Sequence, residues 1–171
     1  MAFLEDMERA VDNLRADLKG VIVASGKPDQ FVAGADLEEL LRATQPEEAA
    51  GQIRRLHRVF NRLADLPYPS VAAINGPALG GGLEVALACD YRVCVEADSS
   101  ILGLVEVQLG LIPAGGGCQR LPKLIGLSRA LGLILEAKRY NPRRGKRYGV
   151  VDEVVHPTVL MDAARGWLAR G

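Results

Sequence analysis

Apolar positions recur along this chain with two different spacings, and the switches between them mark its elements. Leu4, Met7, Val11, Leu14 and Leu18 fall at three- and four-residue steps with charges between them, which predicts an amphipathic helix over residues 2–18, ended by Gly20. Val21-Ile22-Val23-Ala24 then reads as a short buried strand. Pro46, Glu47 and Glu48 suit a first helical turn, and Ile53, Leu56, Phe60 and Leu63 make one stripe, so a helix is expected over 46–65, stopped by Pro67-Tyr68-Pro69. Val71 to Ile74, Tyr91 to Val95 and Val150 to Val155 read as further strands. Helical patterns follow Gly82, cover Cys118 to Ile125, run through Leu127, Ala130, Leu131, Ile134 and Leu135, and close the chain at Leu160, Ala163, Ala164, Trp167 and Leu168. Alternating strands and helices without a repeat or linker predict an α/β fold in a single domain, residues 1–171.

The breaks between these elements are glycine-rich in three places. The strand Val71 to Ile74 stops at Asn75-Gly76-Pro77, and Gly80-Gly81-Gly82 leads into a helix with Glu84 in its first turn. Without Cβ atoms, main-chain N–H groups at that positive helix end can approach an oxygen that carries or develops charge. Glycine triplets also make plain tight turns, and a first-turn glutamate also simply complements the helix dipole, so both readings stay open on the motif alone. No Lys-Ser or Lys-Thr follows the glycines, which excludes a Walker A phosphate loop. Upstream, Phe31-Val32-Ala33-Gly34-Ala35-Asp36 allows a sharp turn at Gly34 and an N-cap at Asp36 for a helix from Leu37 to Ala43. Downstream, Pro113-Ala114-Gly115-Gly116-Gly117 makes another such turn.

Glu106 lies between Val105 and Val107. Burial there would raise its pKa towards neutrality, whereas strict alternation along an edge strand would point it at solvent, and the local pattern favours solvent. His57 sits at the edge of its helix stripe with no carboxylate or nucleophile near it in sequence, and reads as packed or partly exposed rather than catalytic. Lys138, Arg139, Arg143, Arg144, Lys146 and Arg147 form the one dense basic cluster, either a phosphate contact or a solvated face.

Composition narrows the classes. Lysines and arginines number 21 against 21 acidic residues, so no charge excess points to nucleic acid or an anionic membrane as partner. Cys89, Cys94 and Cys118 lack metal-ligand spacing and read as reduced small hydrophobes, so no metal site is expected. The N-terminus has no signal-peptide pattern and no apolar run has membrane-spanning length, so a soluble, cytoplasmic protein is expected.

Taken together, Phe31 to Leu37, Asn75 to Glu84, and Leu104 to Pro113 running into Gly115 to Pro122 resemble the enoyl-CoA hydratase/isomerase superfamily, the crotonases. Lys27-Pro28-Asp29, Tyr91-Arg92-Val93-Cys94 and Gly149 to Val155 are most similar to the hydratase part of the multifunctional fatty-acid oxidation α subunits. The resemblance implies a crotonase-like ββα spiral, here shortened at both ends, without the usual N-terminal hairpin and C-terminal helical trimerisation region. It implies an oxyanion hole made by the N–H groups of Ala35 and Gly81, each worth about 3 kcal/mol to an enolate-like transition state. It assigns catalysis to Glu84 and Glu106, against the solvent-facing reading of Glu106, and substrate contacts to Ala33, Gly34, Asp36, Gly80, Gly82, Pro113 and Gly115.

The implied reaction is addition of water to a trans-2-enoyl-CoA, giving a 3-hydroxyacyl-CoA in fatty-acid β-oxidation. Coenzyme A is then part of the substrate and no separate cofactor is needed. A Δ3,Δ2-enoyl-CoA isomerase and an inactive acyl-CoA-binding or assembly remnant are the alternatives. The resemblance further implies a homo-oligomer, a trimer or dimer of trimers. Two departures stand near the site: Val105 takes a usual proline position, and Ala114 replaces a glycine, which would be strained if φ were positive there.

Overall fold

A computed structural model describes residues 2–34 and 46–170, and within them the β-branched runs pair with one another in parallel. The strands are β1 (Val21–Ala24), β2 (Ser70–Ile74), β3 (Ala78–Leu79), β4 (Tyr91–Val95), β5 (Leu102–Gly103) and β6 (Glu153–Val155). The larger sheet has the order β1-β2-β4-β6, with Ile22 opposite Val71, Val71 opposite Tyr91 and Val93 opposite Glu153. A smaller parallel pair joins β3 to β5, and Val32 and Tyr140 extend it by single bridges to Ala78 and Leu102.

Parallel neighbours need crossovers, and helices supply them. The helices are α1 (Ala2–Asp12), α2 (Pro46–Ala64), α3 (Gly81–Leu87), α4 (Gly117–Ile125), α5 (Leu127–Leu135), α6 (Pro142–Tyr148) and α7 (Leu160–Leu168). The chain lays one strand in the large sheet, one in the small sheet, then a helix, as in β2-β3-α3, and the next turn stacks upon it from β4 and β5 onwards. This is the ββα spiral that the resemblance implied.

Strand β2 is buried throughout, and its alternation divides the core. Ala72 and Ile74 join Phe60, Leu83, Leu104 and Leu121 on one face, while Val71 and Ala73 join Val93, Val95, Leu160 and Ala164 on the other. The N-terminal ends of the strands are tied by side chains. Asp90 accepts from the Ser70 N–H and hydroxyl at 2.8 and 2.9 Å, and buried Arg92 pairs with Asp152 at 2.7 Å.

Two expected boundaries move. The first helix stops at Asp12 rather than Leu18, because the Asn13 backbone and side-chain amides both donate to the Arg9 carbonyl, at 3.1 and 2.8 Å, and Arg15 and Asp17 pair with each other beyond it. Asn is a poor interior residue because its side chain competes for these carbonyls. The last strand is Glu153–Val155 rather than Val150–Val155, since Val150 N–H turns back to the Gly145 carbonyl of α6 at 2.8 Å and both Val150 and Val151 sink into the core. The helix expected over Leu37 to Ala43 lies outside the described residues. No described helix is long and apolar enough to cross a membrane.

Candidate active site

The glycine-rich turn after β3 is built by close packing of three segments. Gly80 takes φ 53°, a conformation that L side chains rarely adopt, and its N–H donates to the Gly103 carbonyl at 2.8 Å. The stretch Phe31 to Gly34 is stitched alongside: Val32 N–H donates to the Pro77 carbonyl and Leu79 N–H to the Val32 carbonyl, each at 3.1 Å. A Cβ on Gly82 would overlap that Val32 carbonyl oxygen, so only glycine permits the approach. Ala33 is exposed and Gly34 half-buried beside Leu79, while Ala35 and Asp36 lie outside the described residues. Gly81 opens α3, so its N–H has no carbonyl one turn earlier to bond, and a Cβ added there would meet nothing within 4 Å among the described residues.

One turn into α3, Glu84 is 2% exposed. Its Oε1 accepts from the Gly115 and Gly117 N–H groups, both at 2.8 Å, so the second glycine-rich turn serves as a cradle for this carboxylate. A Cβ on Gly115 would lie 2.5 Å from Glu84 Oε2 and 2.9 Å from the Phe60 ring. Burial pushes the Glu84 pKa up, and the amides of Gly117 and Gly115, then the charges of Arg120 and His57, pull it back without cancelling the rise. Pro113 is buried beneath the same turn. Ala114 does not take positive φ, so the strain expected of its Cβ is absent.

Glu106 begins a 3-10 turn, Glu106–Leu109, that caps the small sheet. The alternation that would have sent it to solvent fails because this segment is not an extended strand: Val107, Gln108 and Leu109 are all exposed, and Glu106 is half-buried. Its carboxylate lies against Gly80, where a Cβ would stand 3.0 Å from Oε1, and Oε2 is buried with no hydrogen-bond partner among the described residues. Burial, aided by the Glu84 charge, raises its pKa to about 7. Glu84 and Glu106, 22 residues apart in the chain, therefore lie together beside the Gly80-Gly81 turn, the first held by two amides and the second raised in part by the charge of the first. Such a pair of carboxylates can hold and exchange protons.

Other expected features divide. His57 is half-buried on α2 and is the last of the groups that pull the Glu84 pKa down. In the basic cluster, Arg143 pairs with Glu96, Lys138 with Glu136 at 2.8 Å, Arg139 donates to Gln108, and Arg144 lies 4.5 Å over the Tyr140 ring, the arrangement of a solvated face. The Cys89 and Cys94 thiols are buried and pushed up to about 12, and Cys118 is half-buried and raised as well. No group of three or more His, Cys, Asp or Glu among the described residues is placed to hold a metal ion.

Arg120 and Asn61 carry roles that sequence reasoning missed. Arg120 donates to the Gly115 carbonyl at 2.9 Å and to Asn61 Oδ1 at 2.6 Å. A signal was present: a cation in the first turn of α4, with no acidic residue there, opposes the helix dipole.

The family model of enoyl-CoA hydratase/isomerase matches residues 1–170. The chain is 50% identical over 172 residues to the fatty acid oxidation complex subunit alpha of Vibrio parahaemolyticus, and 51% identical over 172 residues to that of Vibrio vulnificus. Each alignment covers 99% of this chain and 24% of the relative, so the chain spans about a quarter of the length of these curated relatives. Among solved structures, the enoyl-CoA hydratase from Bacillus anthracis superposes with a TM-score of 0.89 at 38% identity, over 99% of this chain and 65% of that one. A spiral of parallel strands, a glycine-rich turn flanked by two carboxylates and a match along nearly every residue agree, and the chain belongs to the enoyl-CoA hydratase/isomerase family.

Proposed function

We propose that this chain hydrates the C2=C3 double bond of a trans-2-enoyl-CoA, giving a 3-hydroxyacyl-CoA in fatty-acid β-oxidation. The observation that carries the reading is the pairing of Glu84, fixed by two amides, with Glu106, whose buried Oε2 has no hydrogen-bond partner among the described residues and whose pKa is raised to about 7, beside the Gly80-Gly81 turn. The thioester oxygen accepts from the N–H of Gly81 and, by the family resemblance, of Ala35, so negative charge that moves onto it as C3 is attacked meets fixed dipoles. Glu84 takes a proton from water as its oxygen bonds C3, and protonated Glu106 gives a proton to C2. A proton must then pass from Glu84 to Glu106 before the next turnover.

The pH dependence follows from these roles. Ionised Glu84 and protonated Glu106 are required together, so hydration falls as pH rises through about 7 and falls again on the acid side as Glu84 protonates. Crotonyl-CoA hydration, read as loss of enoyl absorbance, is expected to drop about a hundredfold or more in Glu84→Gln and in Glu106→Gln. Full turnover in either folded variant overturns the two-carboxylate mechanism. A 3-enoyl-CoA offered to the same protein tests for isomerase chemistry, which needs one carboxylate; the presence of two favours hydration. Cytoplasmic location and assembly into a trimer belong to the same proposal, and the mass of the chain in solution measures the latter.

A further inference from the structure

Arg120 has three contacts that hold it where the helix end repels it. Nη1 donates to the Gly115 carbonyl at 2.9 Å, Nη2 donates to Asn61 Oδ1 on α2 at 2.6 Å, and the guanidinium fills the space below Gly116, where a Cβ would overlap Nη1. The Gly116 residue has φ 108°, and the N–H groups on either side of it, from Gly115 and Gly117, are the two that bind Glu84 Oε1. The guanidinium thus grips the outside of the same turn whose inside grips the carboxylate.

We propose that Arg120, anchored on Asn61, is the positioning residue of the site: by binding the Gly115 carbonyl it keeps the Gly115 and Gly117 N–H groups aimed at Glu84. This role rests on the hydratase reading for its place in catalysis. The charges facing Glu84 support it. Arg120 from α4 and His57 from α2 both favour the ionised form, while Glu106 lies across the site and Cys118 lies on α4. Asp65, at the end of α2, acts on Arg120 rather than on Glu84. Arg120 and the amides oppose the burial that raises the Glu84 pKa.

The first test does not depend on turnover. Carbon-13 NMR titration of the full chain labelled at glutamate side chains, with the Glu84 signal assigned by its loss in Glu84→Gln, reads the Glu84 pKa in the wild type, Arg120→Gln and Arg120→Lys. Arg120→Gln is expected to raise it by about half a pH unit or more and Arg120→Lys, which keeps the charge, to restore most of the shift. An unchanged Glu84 pKa in folded Arg120→Gln overturns the proposal. If Arg120→Gln does not fold, Asn61→Ala carries the test: faster amide hydrogen exchange at Gly115 and Gly117 supports the grip, and unchanged exchange overturns it.

The second test is kinetic. With crotonyl-CoA, folded Arg120→Gln is expected to lose about ten- to a hundredfold in kcat with KM within about threefold, and its acid limb to move to higher pH. Unchanged kcat and acid limb overturn the role. A wild-type chain without hydratase turnover refutes the hydratase reading by itself, because the NMR titration still decides what Arg120 does to Glu84.

Discussion

A carboxyl group that titrates near neutrality in the folded chain carries a cost that can be read outside catalysis. Glu106 ionises at about 7 when folded and at an ordinary carboxylate value when unfolded, so the folded state holds its proton more tightly. The group makes no difference below the unfolded value, and between there and about pH 7 rising pH progressively destabilises the fold. Glu106→Gln removes that loss. Urea titrations of both proteins at pH 5 and pH 8 should therefore show the variant gaining about 1–2 kcal/mol more at pH 8, after discounting for the partial exposure of the side chain. An equal difference at the two pH values would mean that Glu106 is not held away from water. The same substitution that removes activity is thus expected to stabilise, which is how a functional residue differs from a packing one.

At the scale of elements, the site depends on how closely the Phe31 to Gly34 stretch can press upon the start of α3. Gly82→Ala puts a Cβ into the Val32 carbonyl oxygen, a backbone atom that cannot swing aside, whereas Gly81→Ala meets nothing within 4 Å among the described residues. Thermal unfolding is expected to show Gly82→Ala losing about 1–3 kcal/mol and Gly81→Ala retaining or slightly gaining stability from its better helix propensity. Equal stability of the two variants would separate the segments. Which parts were legible beforehand follows from the same distinction between local and distant contacts. The stripe Ile53, Leu56, Phe60 and Leu63 marked α2 to within a residue, and Val71 to Ile74 marked β2, because face selection repeats along each element. Residues 101–111 have no such period, since a two-residue strand and a 3-10 turn share them, and Glu106 was misread on local pattern for that reason. The cradle of Glu84 comes from residues 31 and 33 positions away, and Arg120 joins it through a carbonyl, neither of which leaves a periodic trace.

On the scale of the whole molecule, the large sheet separates the active-site core from a second core under α7, yet the strands belong to both. Val71 and Ala73 face Leu160 and Ala164, while Ala72 and Ile74 on the same strand face the core that holds Phe60 and Leu83. A loss on one side therefore frees the strands that the other side needs, and the two cores should unfold together. Trp167, the single tryptophan, stacks on Tyr91 with ring centroids 4.7 Å apart and reports the α7 side, far along the chain from Glu84. Circular dichroism reports all the helices. In urea the two signals are expected to give one coincident transition, and Leu160→Ala, which empties a buried position against the sheet, to lower both midpoints equally, by an amount that corresponds to about 2–4 kcal/mol of stability. Tryptophan fluorescence changing at lower urea than circular dichroism would instead make α7 a separately melting unit, and the active-site core would then stand on the sheet without it.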